Sequence, residues 1–495
     1  MIGDEKMFKT IIKIYVVIFL GVSFMRCHDK KQDASLKGYT GIIEFTTPIN
    51  TYGKHISLND QTVLIEKGGT YKISGNSENG QIIVNANNEE VVLELDNVEL
   101  VCTNNSPIMI ESAKKVIITT LKDTNNILKD TKNSKTSAVI YSQSDLVLKG
   151  EGILKVDANN KNGIETTQNM QVVSGEYQIK ANQSGIIAQD LILQNATYKI
   201  QSNEASFFSK QISSLKGVFL LETSTVALKA NTINLNQGEW TIESKESGFI
   251  ASLSLHIKEG TYLFQTKKQC IEANEFVIYD GSFILNSDEI GILAKDHMAV
   301  YDGDLTIENS QTGIQTYLLE VNGGTTNIIS RNDGISILNQ ENNLGKFTFQ
   351  NGNMMIDAGS VALNIEGNMS MLGGTMYING PINTYSEAIQ CSTPYTIENG
   401  ILCVLDKKGT TQILSNNSTQ PLIMMKLGAT VDKGTSIVVK DQHNFNIFEY
   451  TSLKPFQSMM ISTNKFSLQD TYSIYINNEF YGAVTLNQLY TIIQY

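Results

Sequence analysis

The most constraining feature of the sequence is a repeat of about 21 residues that runs from residue 152 to residue 404. A turn closed by a small residue recurs at spacings of 21, 21, 21, 22, 21, 22 and 21. The recurring turn resumes at Gly352, Gly374 and Gly400 after longer gaps, which indicates inserted loops. The small residues of the regular stretch are Gly175, Ala196, Gly217, Gly238, Gly260, Gly281, Gly303 and Gly324.

Each turn is followed, two and four residues later, by a pair of large apolar residues. Positions i and i+2 of a strand face the same side, so every repeat sends this pair to the same place. The only tryptophan, Trp240, stands in this column, and we predict that it lies in the core instead of stacking on a sugar. The first members of the pairs are Tyr177, Tyr198, Phe219, Trp240, Tyr262, Phe283 and Leu305.

Two further strands complete each repeat. One starts near a pair such as Gly163-Ile164, and the other is an apolar run such as Phe276-Val277-Ile278 just before the next turn. Three short strands and three turns in 21 or 22 residues leave no room for a helix. One such coil cannot bury its own apolar face, so successive coils must stack. The sequence therefore predicts an all-β, right-handed parallel β-helix, since a propeller blade needs about twice this period.

The repeat and the composition divide the chain into four parts. Residues 1–27 resemble a signal, residues 28–45 are polar and read as a linker, and residues 46–404 form the predicted β-helix with irregular first coils. The period stops after Gly400, although strands such as Tyr472-Ser473-Ile474-Tyr475-Ile476 continue. Because an open strand edge recruits other chains, residues 405–495 are predicted to be a β cap or a small β module.

The N-terminus carries the features of an export signal. Lys9 and Lys13 precede an apolar run that ends at Met25, and Cys27 and a polar stretch follow. This resembles a bacterial lipoprotein signal, in which Cys27 becomes the lipidated first residue, although Arg26 stands where a small residue is expected. An uncleaved N-terminal anchor is the alternative. The lipoprotein signal and the uncleaved anchor both predict a secreted protein that is anchored to the membrane at the bacterial cell surface.

The charged and metal-binding residue types exclude several classes of partner. The chain carries 50 acidic and 38 basic residues, for a net charge of −12, and its only arginines are Arg26 and Arg331. The sequence therefore predicts no nucleic-acid partner, because phosphate recognition usually needs clustered arginine. The five histidines and five cysteines are scattered without metal-ligand spacing, so the sequence does not support a zinc site.

Several segments resemble a family of bacterial, surface-exposed carbohydrate-binding proteins that are right-handed β-helices similar in shape to pectate lyases. The segments are residues 69–75, 81–84 and 92–98, the repeat Asn332-Asp333-Gly334-Ile335, and residues 373–378. The resemblance extends over roughly residues 55–480. It implies binding of cellulose-like and acidic, pectin-like polysaccharides, with calcium held by aspartates in Asp-Gly-Ile turns.

Asp333 is the candidate calcium ligand that this resemblance implies. In the residues just before the glycine of the second strand, only Glu204 and Asp333 are carboxylates, and they are about six coils apart. Calcium takes 6–8 oxygen ligands, so Asp333 with Asn332 and backbone carbonyls forms a small ligand set. A turn aspartate without metal is the alternative.

The sequence favours non-catalytic polysaccharide binding over two alternatives. A polysaccharide lyase needs a base and a cation near a uronate, and Arg331 is instead predicted to form a surface ion pair with Asp333. A structural or adhesive surface protein would display loops such as the insertion at residues 339–345. A binding protein would present a row of outward side chains, for which the second strand offers Glu165, Ile187, Ile250, Glu272, Leu293, Gln315 and Ser336.

Overall fold

The computed structural model describes residues 36–409 and 414–494, and these residues form an all-β structure with 44 strands and no helix. Stacked parallel coils build a β-helix of about 16 turns, which confirms the predicted parallel β-helix. No described segment is a helix of the length and apolarity that crossing a bilayer requires. The signal predicted at residues 1–27, with Cys27, lies outside the described residues.

The first coils contain strands of uneven length. They are β1 (Gly41–Phe45), β2 (Asn50–Gly53), β3 (Ile56–Asn59), β4 (Thr62–Ile65), β5 (Gly69–Ser77), β6 (Gln81–Asn85), β7 (Glu90–Cys102), β8 (Ile108–Ser112), β9 (Lys115–Thr120), β10 (Asn125–Asp130), β11 (Ala138–Ser142), β12 (Asp145–Gly150) and β13 (Ile153–Ala158).

The regular coils follow, and several of their strands turn a corner without a break. They are β14 (Asn162–Thr166), β15 (Met170–Ala181), β16 (Ile186–Ser202), β17 (Phe207–Ser214), β18 (Gly217–Thr223), β19 (Val226–Leu235), β20 (Glu239–Ser244), β21 (Ser247–Ile257), β22 (Thr261–Thr266), β23 (Ile271–Ile278), β24 (Ser282–Ser287), β25 (Ile290–Val300), β26 (Asp304–Ser310), β27 (Thr312–Val321) and β28 (Thr325–Ser330).

The last coils and the C-terminal module complete the chain. The last coils are β29 (Ile335–Ile337), β30 (Gly345–Phe349), β31 (Asn353–Ala358), β32 (Leu363–Ile365), β33 (Gly367–Met371), β34 (Thr375–Asn379), β35 (Ile389–Cys391), β36 (Thr396–Ile397) and β37 (Ile401–Asp406). The module contains β38 (Leu422–Val431), β39 (Ser436–Lys440), β40 (Asn446–Thr451), β41 (Phe456–Thr463), β42 (Thr471–Ile476), β43 (Glu479–Thr485) and β44 (Tyr490–Gln494).

Three parallel ladders run along the helix axis, and each coil contributes one strand to each. The first ladder follows the small-residue turn and includes β18, β20, β22 and β24. The second ladder contains the Gly-Ile strands, such as β14 and the first part of β16. The third ladder precedes the next turn and includes the last parts of β23 and β25. Every coil therefore has three corners, one between each pair of ladders.

The core lies inside the ladders, where the repeat places the large apolar pair of each coil. Trp240 is 1% exposed, and its ring is stacked on Phe219 with centroids 3.5 Å apart and planes 4° apart. The predicted core position of Trp240 is thus confirmed. Because the register sets each residue beside its equivalent in the next coil, the aromatic column becomes a continuous stack.

The N-terminal end of the β-helix begins earlier than the sequence pattern predicted. β1 pairs in parallel with β5 and antiparallel with β2, and Ile43 and Phe45 are 0% exposed. Residues 41–45 therefore belong to the β-helix and not to the linker that the sequence predicted at residues 28–45. The reason is the alternation of apolar residues at Ile43 and Phe45, which are buried on one face against the next coil.

The C-terminal module covers the last coil and shares its sheet. β37 pairs antiparallel with β41, which pairs in turn with β38, while β39, β40, β42 and β43 form a separate four-stranded sheet. The module also has its own hydrophobic cluster, which begins at Cys403 and Leu405 of β37. Pairing of the last parallel strand with an antiparallel one closes an edge that would otherwise bind other chains.

Candidate functional site

A long groove runs along the corner between the first and second ladders and has a volume of about 800 Å³. We call it the polar corner groove. Its floor is a column of small buried residues at the end of each first-ladder strand, where a small side chain leaves the corner recessed. Six adjacent strands at the usual spacing make this floor about 24 Å long. The floor residues are Ala158, Ala181, Ser202, Thr223, Ser244 and Thr266.

Two rows of polar side chains form the walls of the polar corner groove. The first wall is the outward position just before each floor residue, and the strand register aligns its members coil by coil. The second wall is the turn residue just after each floor residue. The first wall consists of Asp157, Lys180, Gln201, Glu222, Glu243 and Gln265, and the second of Asn159, Asn182, Asn203, Ser224, Lys245 and Lys267.

Hydrogen bonds between coils hold part of the second wall in place. The side-chain amide of Asn182 donates to the Asn160 carbonyl at 2.9 Å, and that of Asn203 donates to the Asn182 carbonyl at 3.3 Å. On the first wall, the Gln201 amide donates to the Glu222 carboxylate at 2.7 Å. The amide and carboxylate positions are therefore ordered by the coil spacing before any ligand is present.

The polar corner groove also holds ammonium groups that the protein does not neutralise. Lys180, Lys245 and Lys267 are exposed, and none of them takes part in an ion pair in the part of the chain that the structure describes. The wall residues therefore offer hydrogen-bond donors or acceptors, and most of them are exposed to solvent. Such a surface can bind the hydroxyl or carboxylate groups of an extended polar ligand.

The register places two carboxylates side by side in the groove, Glu222 and Glu243. Paired carboxylates are the catalytic groups of most glycosidases, and the sequence pattern had not indicated this pair. Both side chains are exposed to solvent. A general acid is usually set apart from its partner by buried, apolar surroundings, which neither carboxylate has here.

A second groove of about 520 Å³ lies at the corner between the third and first ladders. We call it the tyrosine groove, because Tyr301 is one of its lining residues. The preceding coil carries Tyr279 at the same position, and the two rings are stacked with centroids 5.4 Å apart. The groove is lined by Tyr301, Asp302, Asn322, Gly323, Gly324, Thr325, Asn351, Gly352 and Asn353.

The row of outward residues that the sequence analysis favoured is aligned on the second ladder. Glu165 is opposite Ile187, and Glu272 is opposite Leu293. The register also places Phe208 and Lys229 in this row, and their coils had no Gly-Ile pair to mark them. Several members pack against their neighbours, and none lines the two grooves described above.

Asp333 lies apart from both grooves, and the predicted Arg331–Asp333 ion pair is wrong. The Arg331 guanidinium donates to the Asp288 carbonyl, two coils earlier, while the Asp333 carboxylate accepts from the Asn364 amide at 3.1 Å. The described residues include no group of three or more His, Cys, Asp or Glu side chains that could hold a metal ion. This donor set fits calcium poorly, and calcium binding at Asp333 stays a prediction.

The sequence analysis did not identify the polar corner groove, although its signal was present. Small residues recur at the floor positions with spacings of 21 to 23, from Ala158 to Thr266, and a polar residue stands on both sides of each. The pattern was weak because the floor alternates among Ala, Ser and Thr, which occur at many other positions. Only the register shows that these residues are neighbours.

Comparison with known proteins identifies the family. The model of a family described as carbohydrate-binding domain-containing protein matches residues 59–282 and 276–473, which together span most of the chain. The chain therefore belongs to this family of carbohydrate-binding domain-containing proteins, and the family resemblance inferred from the sequence is confirmed.

Two individual proteins are similar to parts of the chain. A carbohydrate-binding domain-containing protein of Acetivibrio thermocellus (strain ATCC 27405) is 38% identical over 135 residues, which cover 26% of this chain and 47% of that relative. A polysaccharide lyase-like protein from C. thermocellum, solved as a gadolinium derivative, is 20% identical, with a TM-score of 0.29 over 73% of this chain and 99% of that one. This structural similarity is too low to support a functional argument.

Proposed function

We propose that the protein binds an extended polysaccharide along the polar corner groove and does not cleave it. The observation that carries the proposal is the continuous, ordered row of amide, carboxylate and ammonium groups over six coils. Sugar polymers present hydroxyl groups at regular intervals along an extended chain. A solenoid surface, which repeats its own groups at every coil, matches such a ligand over many sites.

The form of the groove favours binding that accumulates along the polymer. Each coil offers only a few exposed hydrogen bonds, and the net contribution of one such bond is about 0.5–1.5 kcal/mol. Affinity should therefore rise with the length of the oligosaccharide until all six coils are occupied. The ammonium groups of Lys180, Lys245 and Lys267 would add attraction for acidic sugars, and salt would weaken this part of the binding.

The test compares two variants with the same residue types changed. Lys180→Ala/Gln201→Ala/Lys245→Ala removes two ammonium groups and one amide from the groove, and Lys210→Ala/Gln211→Ala/Lys346→Ala removes the same groups from other exposed positions. Calorimetry of the full chain with polygalacturonate and soluble cello-oligosaccharides should show at least tenfold weaker polysaccharide binding in the first variant only. Equal affinities of both variants, or no binding by the wild-type protein, would overturn the proposal.

Absence of cleavage is measured with the same polysaccharides. We expect neither new reducing ends nor ultraviolet-absorbing unsaturated ends after long incubation. Glu222→Gln/Glu243→Gln is the informative variant, because these two carboxylates are adjacent in the groove. Products that form with the wild-type protein and disappear in this variant would establish an enzyme and contradict the non-catalytic function.

A place at the cell surface remains part of this proposal. It is supported by the apolar run before Cys27 and by a function that requires contact with extracellular polysaccharide. Labelled palmitate should be incorporated into the full-length chain and lost in Cys27→Ser. Incorporation that survives this substitution would contradict lipidation at Cys27. Deletion of residues 7–25 should abolish export whether the anchor is lipid or an uncleaved segment.

A further inference from the structure

The strand β44 forms one edge of the sheet that covers the end of the β-helix. In the described part of the chain β44 pairs only with β38, in parallel, from Leu422 opposite Tyr490 to Lys426 opposite Gln494. β38 pairs with β41, and β41 pairs with β37 of the last coil. The outer side of β44 is therefore an edge of a sheet that is continuous with the β-helix.

The hydrogen bonds to β38 show which backbone groups of β44 face this open side. The Leu422 amide donates to the Leu489 carbonyl at 2.8 Å, so the backbone groups of Leu489 face β38. Successive residues of a strand direct their backbone groups to opposite sides. The amides and carbonyls of Tyr490, Ile492 and Gln494 therefore face away from β38. The Gln488 side-chain amide donates to the Tyr490 carbonyl at 2.8 Å, whereas the backbone groups of Ile492 have no partner among the described residues.

The side chains of β44 do not shield this edge. Exposed sheet edges are usually protected by charged residues, by proline or by a bulge. Residues 485–494 contain no charged residue and no proline, and the pairing of β44 with β38 has no register shift. The Ile492 side chain is 53% exposed. Free backbone donors and acceptors therefore occur together with an exposed apolar side chain at this edge.

The two edges of the four-stranded sheet in the C-terminal module are different. β40 pairs only with β39 among the described strands, and it contains Glu449. β43 pairs only with β42 among them, contains Glu479, and has a register shift in this pairing. Charge and irregular register both disfavour the addition of another strand. Among these three edges of the module, β44 is the one suited to pair with another chain.

We propose that β44 is a homodimer interface, in which the β44 strands of two copies pair antiparallel about a two-fold axis at Ile492. This register sets Ile492 opposite Ile492 of the partner subunit, and each of the two amides donates to the other carbonyl. The two exposed Ile492 side chains then cover each other. A second copy fits this edge because a two-fold axis sets the same surface against itself, and a strand without charge meets no repulsion there.

The dimer extends the sheet from one β-helix into the other. One strand from each copy forms the contact, so the interface is small and the association should be reversible. Where the polar corner groove binds polysaccharide, a dimer presents two such grooves to one polymer, which raises the affinity for long chains without a new contact. The dimer does not depend on this function, and its test requires no sugar.

Ile492→Pro tests the interface, because it removes the amide that faces the open side. Proline is tolerated in an edge strand where the missing amide faces solvent, so the pairing with β38 should remain. Light scattering of the full chain in mild detergent should give a dimer for the wild-type protein and a monomer for Ile492→Pro, with equal melting temperatures. The control is Ile493→Pro, which removes an amide that faces β38 and should lower the melting temperature. A wild-type protein that is monomeric at every concentration, or an Ile492→Pro variant that is dimeric, would overturn the proposal.

Disulfide cross-linking tests the register and leaves the backbone unchanged. Cys102, Cys270, Cys391 and Cys403 are buried, so the background variant is Cys27→Ser. In this background Ile492→Cys should form a disulfide-linked dimer on mild oxidation, because the two-fold axis brings its two copies within the reach of a disulfide. Gln494→Cys is the control, since Gln494 is also exposed but lies opposite Tyr490 of the partner subunit in the proposed register. Equal cross-linking of the two variants, or no cross-linking of Ile492→Cys, would contradict the two-fold pairing.

Discussion

The coils from Tyr177 to Phe283 and the coils from Leu305 to Leu402 share one backbone but fill the same core position differently. The earlier coils place a ring in every repeat, and successive centroids are 5.7, 4.8, 3.5, 6.3 and 4.8 Å apart. The later coils hold aliphatic, Thr or Met side chains there. These are Leu305, Thr326, Met354, Met376 and Leu402.

The difference shows that the repeat specifies that this side chain points into the core, and specifies neither its type nor its size. Parallel strands in register set equivalent side chains about 4.8 Å apart, which suits the stacking of rings and also the packing of flexible chains. In the earlier region an added Cβ at Gly217, Gly238, Gly260 or Gly281 would approach both the ring of its own coil and the carbonyl oxygen of the preceding turn, whereas in the later region the nearest atom is that carbonyl oxygen. A Cβ on Gly238 would lie 2.8 Å from Nε1 of Trp240, whereas one on Gly324 would lie 2.4 Å from the Gly303 carbonyl oxygen.

The largest expected effect is the removal of a ring from the stack. Trp240→Ala should lower the free energy of unfolding by about 3–5 kcal/mol, because rigid neighbouring rings cannot close the cavity. Met354→Ala should cost about 2 kcal/mol, since the adjacent flexible side chains can rearrange. Urea denaturation followed by far-ultraviolet circular dichroism measures both. Equal losses would contradict the expectation that the rings relax less around a cavity than the flexible Met side chains do.

The second largest expected loss of stability comes from adding a side chain at a turn glycine. Gly281 has φ of +124°, and an added Cβ would lie 2.9 Å from the Gly260 carbonyl oxygen and 3.2 Å from the Phe283 ring. Gly281→Ala should cost about 1–3 kcal/mol, and Gly281→Val should cost more. Gly434, in the C-terminal module, has φ of +82° and open space around it.

Gly434→Ala is the control for Gly281→Ala, and it should cost about 1 kcal/mol from backbone strain alone. The difference between the two variants measures the crowding at Gly281 by the Gly260 carbonyl oxygen and the Phe283 ring together. If both variants melt at the same temperature, the crowding at Gly281 contributes nothing.

Removal of a tyrosine hydroxyl should change the free energy of unfolding by a smaller amount, and in opposite directions at two positions of the stack. The hydroxyl of Tyr262 donates to the Glu259 carbonyl at 3.0 Å, whereas that of Tyr198 is buried and has no partner among the described residues. Burial raises the pKa of Tyr198 well above its usual value. Tyr262→Phe should cost about 1 kcal/mol, and Tyr198→Phe should be neutral or stabilising.

The turn before each ring explains this difference. Gly260 has φ of +128°, which places the preceding carbonyl near the Tyr262 hydroxyl, whereas Ala196 stands in this position before Tyr198 and has no positive φ. Thermal melting of the two variants measures the outcome. A loss of stability in Tyr198→Phe would contradict the view that its hydroxyl is unpaired.

The smallest expected change in the free energy of unfolding is in the coils that follow the aromatic column. Thr326 is 1% exposed at the ring position, and its hydroxyl has no hydrogen-bond partner in the described part of the chain. Thr326→Val should stabilise the protein by about 1 kcal/mol or less. Thr316→Val is the control, because the Thr316 hydroxyl donates to the Leu318 carbonyl at 3.1 Å, and its loss should be destabilising. If both substitutions changed the free energy of unfolding in the same direction, the difference between the unpaired and the paired hydroxyl would be contradicted.

Much of the fold was predictable because its cause is local and repeated. The spacing of small residues and the alternation at positions such as Tyr177 and Ile179 fix the coil, the inward column and the burial of Trp240. The start of the helix at Gly41 was not predictable from the period. A single alternating segment becomes a strand only because β5 and β2 lie beside it.

The candidate site was less predictable than the fold. Asp333 was selected from a family resemblance, and the structure places it beside Asn364 and away from both grooves. The Tyr279–Tyr301 stack carries no signal in the sequence beyond two Tyr-Asp-Gly turns. Aromatic residues in turns are common, and only their stacking across coils distinguishes this pair.

The sequence by itself determined the class of fold, the identity of the inward column and the family, because each depends on residues near one another in the chain. The tertiary structure alone decided which outward residues become neighbours. Lys180, Gln201 and Glu222 are 21 residues apart in the chain yet lie on adjacent strands. A groove for a long ligand therefore exists only after the coils have stacked, since hydrogen bonds between coils set the register that aligns its walls.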